Sequence, residues 1–337
     1  MSKCNYCAFF SRACIAPDWD KYADDICSEI VQWGTFLEHC DVPTIFFGGG
    51  TPSLMPVATF EKIINTIQQN FNLIPNAEIT LESNPGTLTA TRLSDFISAG
   101  VNRLSVGIQS LDDNKLKFLG RRHSAHDAIE LINHAQNMKI RVSGDFIYGL
   151  PHETPDDIVQ TCNQINDLGL SHCSMYELTI EENTPFGKMN LEMPNNETMA
   201  QMYIAINDTL RLPRYEVSNY ATPGHECQHN QNVWNGEPYV GIGTGAAGRI
   251  LVSNQWYEQR GGGAQFEKIS DNTRAIETLI TAMRTIRGCE LTDVIKNVID
   301  MDWIFKNPEL IQIKNNRIMA TNSGLLILDD IMPRMVK

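Results

Sequence analysis

Thr44-Ile45-Phe46-Phe47-Gly48-Gly49-Gly50-Thr51-Pro52 is the stretch that decides the fold. Four β-branched and aromatic-rich residues after Val42-Pro43 read as a buried strand, and three consecutive glycines end it. Glycines at a strand end let backbone N–H groups approach a ligand with no Cβ in the way. About forty residues earlier stands Cys4-Asn5-Tyr6-Cys7. A CxxC pair by itself serves zinc half-sites, redox couples and iron–sulfur loops alike.

Strands and helices alternate on both sides of this stretch. Asp18 caps a helix whose apolar positions Trp19, Tyr22, Ala23, Ile26, Ile30 and Trp33 recur at helical spacing. Phe60, Ile63, Ile64, Ile67 and Phe71 form the apolar stripe of the next helix. Residues 79–82 give a strand, and 91–99 a helix stopped by Gly100, a good left-handed cap. Strand 104–108, helix 124–138 and strand 140–147 follow. Thr154 starts a helix with Asp156 and Asp157 in its first turn, where carboxylates suit the dipole. Strand 171–180 completes the series.

This order predicts an α/β fold for residues 1–224, a parallel sheet with right-handed crossovers curled into a partial (β/α)6-type barrel. Glycine-rich segments at 241–248 and 261–263 lead into a C-terminal region, 225–337. There a helix at 273–286, a hairpin at 311–319 and a last helix at 324–332 predict a small winged-helix-like domain.

A chain of 337 residues can bury a large core, and 42% hydrophobic with 20% charged residues is ordinary for a globular protein. A net charge of −13 opposes a nonspecific grip on nucleic acid or anionic membrane. Nine irregularly spaced cysteines make a poor disulfide framework, which predicts a reduced, cytoplasmic protein. No apolar run is long enough for a membrane span.

In α/β barrels the chemistry collects at the C-terminal ends of the strands. Gly48, Gly49 and Gly50, then Glu82, then Gln109, then Asp145 with Tyr148 stand at four such ends in succession. One polar strand end is ordinarily a solvated loop; four in succession are a site. Glu82 and Asp145 can accept hydrogen bonds from an ammonium or from ribose hydroxyls. Arg121 offers a planar fork to an amino-acid carboxylate, and Gln109 both donates and accepts. His225, Cys227 and His229 share one side of an extended segment, as zinc or heme-iron ligands would. Such residues more often only hydrogen-bond beside a pocket. His123, His126 and His134 read as surface or supporting groups.

Several strings make the comparison specific: CNYCAF (4–9), GGGTPS (48–53), ESNPGT (82–87), GVNRLSVGIQSLDD (100–113), LGRRHS (119–124), DFIYGLP (145–151) and YEVSNYATPGH (215–225). In order and spacing they resemble the coproporphyrinogen-oxidase-like branch of the radical S-adenosylmethionine (SAM) superfamily, over most of the chain. The resemblance implies that Cys4 and Cys7 ligate a [4Fe–4S] cluster whose unique iron takes SAM. It implies that Gly49, Gly50 and Thr51 contact the methionine part of SAM, with Glu82, Gln109, Arg121 and Asp145 lining the rest. The implied reaction is reductive cleavage of SAM to a 5′-deoxyadenosyl radical.

The family's cluster loop reads CxxxCxxC, and its first cysteine would fall just before Met1. The expectation is therefore a longer natural chain carrying the first strand and first cysteine. Cys14, seven residues beyond Cys7, is a poor substitute. The oxidases of this branch carry a further cysteine where this chain has Phe9, and a phenylalanine there resembles the heme-chaperone branch, HemW. That branch implies heme as cargo and an apo-cytochrome or other heme-accepting protein as partner. It leaves open a homodimer and a transient membrane contact. The alternative is an oxygen-independent coproporphyrinogen III oxidase, which decarboxylates its substrate to protoporphyrinogen IX, so the sequence alone does not decide between enzyme and chaperone. His229-Asn230-Gln231-Asn232-Val233-Trp234 resembles that branch's HNxxYW, with Val233 for the tyrosine. Residues 241–248 resemble GIGPGAHG, with Ala247 for the histidine.

Overall fold

In the computed structural model the described residues are 3–8, 16–37, 40–261 and 265–337. The expectations placed on Phe9, Cys14 and Gly262-Gly263 fall outside them. The chain forms two units: residues 1–213 with 218–225, and residues 214–217 with 226–337.

The first unit opens with α1 (Trp19–Phe36), whose cap is the one expected: the Asp18 side chain accepts from the Lys21 N–H. Ala23, Ile26, Ile30 and Trp33 are buried, but Tyr22 is exposed and stacks edge-on with Trp19. Then come β1 (Asp41–Phe47), α2 (Val57–Asn70), β2 (Asn72–Ser83), α3 (Ala90–Ser98) and β3 (Arg103–Gln109). The series goes on with α4 (Asp113–Phe118), α5 (Ala125–Asn137), β4 (Arg141–Tyr148), α6 (Pro155–Asp167), β5 (His172–Glu177), α7 (Asn196–Thr209) and β6 (Asn219–Ala221). Ser124 and Thr154 each form a full capping box, with Asp127 and Asp157.

The six strands form one curled sheet in sequence order. β1 to β5 are parallel, as the alternation predicts, and β6 returns antiparallel to β5. Helix-facing positions such as Leu81, Leu104, Val106 and Phe146 are fully buried.

The second unit holds α8 (Gln228–Trp234), the antiparallel meander β7 (Gly248–Val252), β8 (Gln255–Arg260) and β9 (Gln265–Lys268), and α9 (Asp271–Ala282). Next are β10 (Cys289–Glu290), α10 (Asp293–Val298), α11 (Met301–Lys306), β11 (Ile311–Lys314), β12 (Arg317–Ala320), α12 (Asn322–Leu326) and α13 (Leu328–Met335). The helix and the hairpin expected here are present as α9 and β11–β12, while β10, α10 and α11 between them were not expected from the sequence. Asn315 and Asn316, both at positive φ, make the tight turn of the β11–β12 hairpin. The single helix expected at 324–332 is instead the pair α12 and α13. Gly324 lies so close to the Leu310 carbonyl that a Cβ there would sit 2.1 Å from it. Leu279, Met283, Ile299, Ile318 and Met335 centre this unit's core.

Candidate cofactor site

Side chains alternate across a strand, so every second residue of β2 to β5 shares the inner face of the curl. That face is polar: Thr80 and Glu82, then Arg103 and Ser105, then Ser143 and Asp145, then His172 and Ser174. The Ser105 hydroxyl donates to Asp145 Oδ2 at 2.6 Å, and Ser174 and Ser143 Oγ lie 2.9 and 3.3 Å from Oδ1. Ser143 Oγ also lies 2.7 Å from His172 Nδ1. Burial raises the Asp145 pKa against these three hydroxyl bonds. His172, buried and facing Arg103 and His225, is held neutral well below the usual imidazole range. Tyr148, paired with Asp145 in the sequence reading, stands three residues on and so faces the other way; it is buried.

At the rim, the Gly49 N–H donates to Glu82 Oε2 at 3.0 Å. Gly49 has φ +112°, a conformation that requires glycine, and nothing lies within 4 Å of where its Cβ would be. The turn therefore presents open backbone. Burial first, then the charge of Asp145, pushes the Glu82 pKa up to about 7, against the Gly49 N–H.

Arg121 ties the rim together. Its Nη2 donates to Asn84 Oδ1 and to the Gly107 carbonyl, and its Nη1 lies 3.3 Å from Cys4 Sγ. Asn84 Nδ2 in turn donates to Thr51 Oγ1 at 2.9 Å, and Thr51 Oγ1 to the Gly50 carbonyl at 2.8 Å. A Cβ on Gly107 would stand 2.9 Å from Arg121 Nη2 and from Gln109 Nε2. Gln109 sits at φ +68° where the β3–β4 register shifts, and this bulge aims it back over Gly107. One hydrogen-bonded chain thus runs from Cys4 through Arg121 and Asn84 to the glycine turn.

The CxxC loop is pinned from outside the sheet. The Cys7 N–H meets the Cys4 carbonyl at 3.3 Å, and Asn5 N–H and Nδ2 donate to Leu119 and Phe118 carbonyls at 3.2 and 2.9 Å. Tyr6 packs on the cluster of Leu119, Leu150, Leu178 and Phe186. Both thiols are half-buried and unbridged.

The structure thus gathers Cys4, Gly49, Gly50, Thr51, Glu82, Gln109 and Arg121 on one rim, joined by Asn84 and Gly107. Cys7 is carried on the same loop as Cys4. Asp145 sits within the curl, engaged by serines but near enough for its charge to act on Glu82. The rim offers open glycine backbone and a buried carboxylate, which can receive an ammonium, and a guanidinium beside a thiol. For a metal it supplies Cys4 and Cys7. Among the described residues no group of three or more His, Cys, Asp or Glu is placed to hold a metal ion, and this includes His225, Cys227 and His229. Sequence reasoning missed Asn84, Gly107 and the serines, although Arg-Leu-Ser-Val-Gly at 103–107 and Arg-Val-Ser-Gly-Asp at 141–145 share a telling alternation.

The sequence model of the radical SAM superfamily matches residues 1–165. The heme chaperone HemW of Escherichia coli strain K12 is 36% identical over 255 residues, 74% of this chain and 68% of that protein. HemW of a Synechocystis strain is 33% identical over 314 residues, 85% of this chain and 76% of its own. Among solved structures, the E. coli coproporphyrinogen III oxidase HemN, described as a radical SAM enzyme, superposes with a TM-score of 0.80. The match covers 98% of this chain and 86% of the oxidase at 17% identity, which shows a shared fold. No described helix is long and apolar enough to cross a membrane.

Proposed function

Because this chain belongs to the HemW family of the radical SAM superfamily, we propose that it is a heme chaperone, binding heme and passing it to apo-proteins such as apo-cytochromes. The observation that carries this reading is its 36% identity to E. coli HemW over most of both chains. Phe9, in place of the oxidases' additional cysteine, and the HNQNVW segment at 229–234 support it.

In this reading the rim holds SAM. The open backbone at Gly49 and Gly50, with Thr51, takes the amino-acid end, and Glu82 accepts from its ammonium. Arg121 and Gln109 bound the site, and Asp145 orients the ribose side from within. Cys4 and Cys7 provide two thiolates toward a [4Fe–4S] cluster, which when bound supplies the electron for SAM cleavage.

Hemin titrated into the purified protein is expected to give a Soret shift saturating at one heme per chain, with transfer to an apo-cytochrome afterwards. No Soret change would overturn the chaperone reading. Anaerobic formation of protoporphyrinogen IX from coproporphyrinogen III would replace it with the oxidase one.

A further inference from the structure

The second unit contains a groove of about 890 Å³, a volume typical of sites for ligands of drug or cofactor size. None of the rim residues above lines it. One wall comes from Trp256 on β8, Arg274 and Thr278 on α9, and the turn at Asn235–Glu237. The other carries Arg287, Lys314 and Arg317, from the β10–β12–β11 sheet and its approach. Apolar lining comes from Ala275, Ala282, Ile295 and Met319.

The first wall is fastened to the His229–Trp234 segment, the one that resembles the HNxxYW string of the heme-chaperone branch. Arg274 is buried, its guanidinium 4.6 Å over the Trp256 ring, and its Nη2 donates to the Gly236 carbonyl at 2.7 Å. Thr281 Oγ1 donates to the Trp234 carbonyl at 2.9 Å. Gly236 has φ +82°, and a Cβ there would be 2.6 Å from Thr278 Oγ1. The turn ending His229–Trp234 is thereby clamped on the groove, while Arg274 Nε is buried with no hydrogen-bond partner among the described residues.

The second wall carries three cations and one carboxylate, Glu290. Arg317 spends Nε and Nη2 on the Arg287 and Gly288 carbonyls, both at 2.7 Å. Gly288, at φ +62°, leaves no room for a Cβ against the Ile318 carbonyl, so the backbone bearing Arg287 is fixed to β12. Among the described residues no carboxylate forms an ion pair with Arg287, Lys314 or Arg317. Glu237 and Asp271 stand with the opposite wall, and Glu290 beside the cations. In a chain of net charge −13, three unpaired cations facing an apolar lining favour a flat apolar ligand with carboxylates on one edge.

We infer that this groove is the heme site, in which the two propionate carboxylates meet Arg287, Lys314 and Arg317 while the macrocycle lies along the apolar lining. The inference rests on the chaperone reading and adds a location and a polarity to it.

The test titrates the full chain with hemin and, in parallel, with hemin dimethyl ester, which keeps the macrocycle but lacks the carboxylates. The probes are followed by Soret absorbance in the unaltered protein and in the exposed-site variants Arg287→Glu, Lys314→Glu and their double. The double variant is expected to weaken hemin about tenfold or more and to leave the ester unchanged. The unaltered protein is expected to bind the ester about as weakly as the double variant binds hemin. Equal hemin affinity in unaltered and double-variant protein would overturn the groove and leave the chaperone reading standing. So would equal affinity of the unaltered protein for hemin and ester, a result independent of any variant's folding. No Soret change with the unaltered protein would overturn both.

Discussion

The Gly49 N–H donates to Glu82 Oε2 across 3.0 Å, so the turn that ends β1 is anchored to the carboxylate near the end of β2. Neighbouring strand ends are thus locked before any ligand arrives, and the lock is itself a titrating group. A buried carboxylate with a pKa near neutrality is poised to ionise when a cation, such as an ammonium, comes to rest beside it.

Glu82→Gln is expected to change how stability depends on pH. The folded-state pKa of about 7 lies above the ordinary glutamate value of 4.5, so the folded state holds this proton more tightly than the unfolded state. The stabilisation is complete below pH 4.5 and is lost as pH rises through 7. At about 1.4 kcal/mol per pKa unit, the loss across this window is about 3 kcal/mol. Urea denaturation of both proteins at pH 4.5 and 8 checks it: the variant should gain on the unaltered protein by about that amount. Parallel pH curves would refute the assignment.

Gly107→Ala is expected to disturb the rim without touching the core. The added methyl would meet Arg121 Nη2 and Gln109 Nε2 at 2.9 Å and Asn84 Oδ1 at 3.0 Å. Gln109 can swing aside, but Arg121 is bound to both Asn84 and the Gly107 carbonyl. The cost is about 1–3 kcal/mol, as for other overpacked sites. Calorimetric titration with SAM should show weakened binding, and an unaltered affinity would contradict the role given to this contact.

The strands and capped helices of the curl were legible because each carries a local signal: alternation with helices, Ser124 and Thr154 with their acidic partners, Gly100 at a helix end. β6 has three residues and α4 six, too few for a periodic pattern. α7 buries only Met202 and Ile206, so its apolar face is faint. Within the site, Glu82 and Asp145 were legible from their strand positions. The Arg121–Cys4 contact was not, because it joins residues 117 positions apart and depends on how two loops meet. Tyr148 was grouped with Asp145 because both stand near one strand end; the odd separation of three puts them on opposite faces.

Glu78→Ala is expected to be among the costlier single changes in the first unit. Glu78 is buried, with Arg141 at 3.2 Å and the fully buried Arg103 at 3.9 Å. Removing the carboxylate strands the Arg103 guanidinium in the interior with the His225 carbonyl at 3.0 Å. Breaking a buried pair from one side typically costs about 3–5 kcal/mol. Asp25→Ala, which breaks the exposed Lys21–Asp25 pair, serves as the control and should cost under about 0.5 kcal/mol. Equal chemical-denaturation midpoints for the two variants would contradict the distinction.

Ser105→Ala with Ser174→Ala is expected to destabilise the protein more at high pH than at low pH. Both hydroxyls reach the buried Asp145 carboxyl, at 2.6 and 2.9 Å, and both oppose the upward push of burial on its pKa. Without them the folded-state pKa rises further above the unfolded one. The stability that follows from the proton is then present in acid and lost as pH climbs. Hydrogen bonds to a charged group are worth about 1.5–3 kcal/mol each, which sets the scale of the loss once Asp145 is ionised. Denaturation at pH 5 and pH 8 separates this from simple cavity formation, since a missing hydroxyl that only leaves a void costs the same at both. A loss independent of pH would mean that the serines pack the curl rather than support the charge of Asp145.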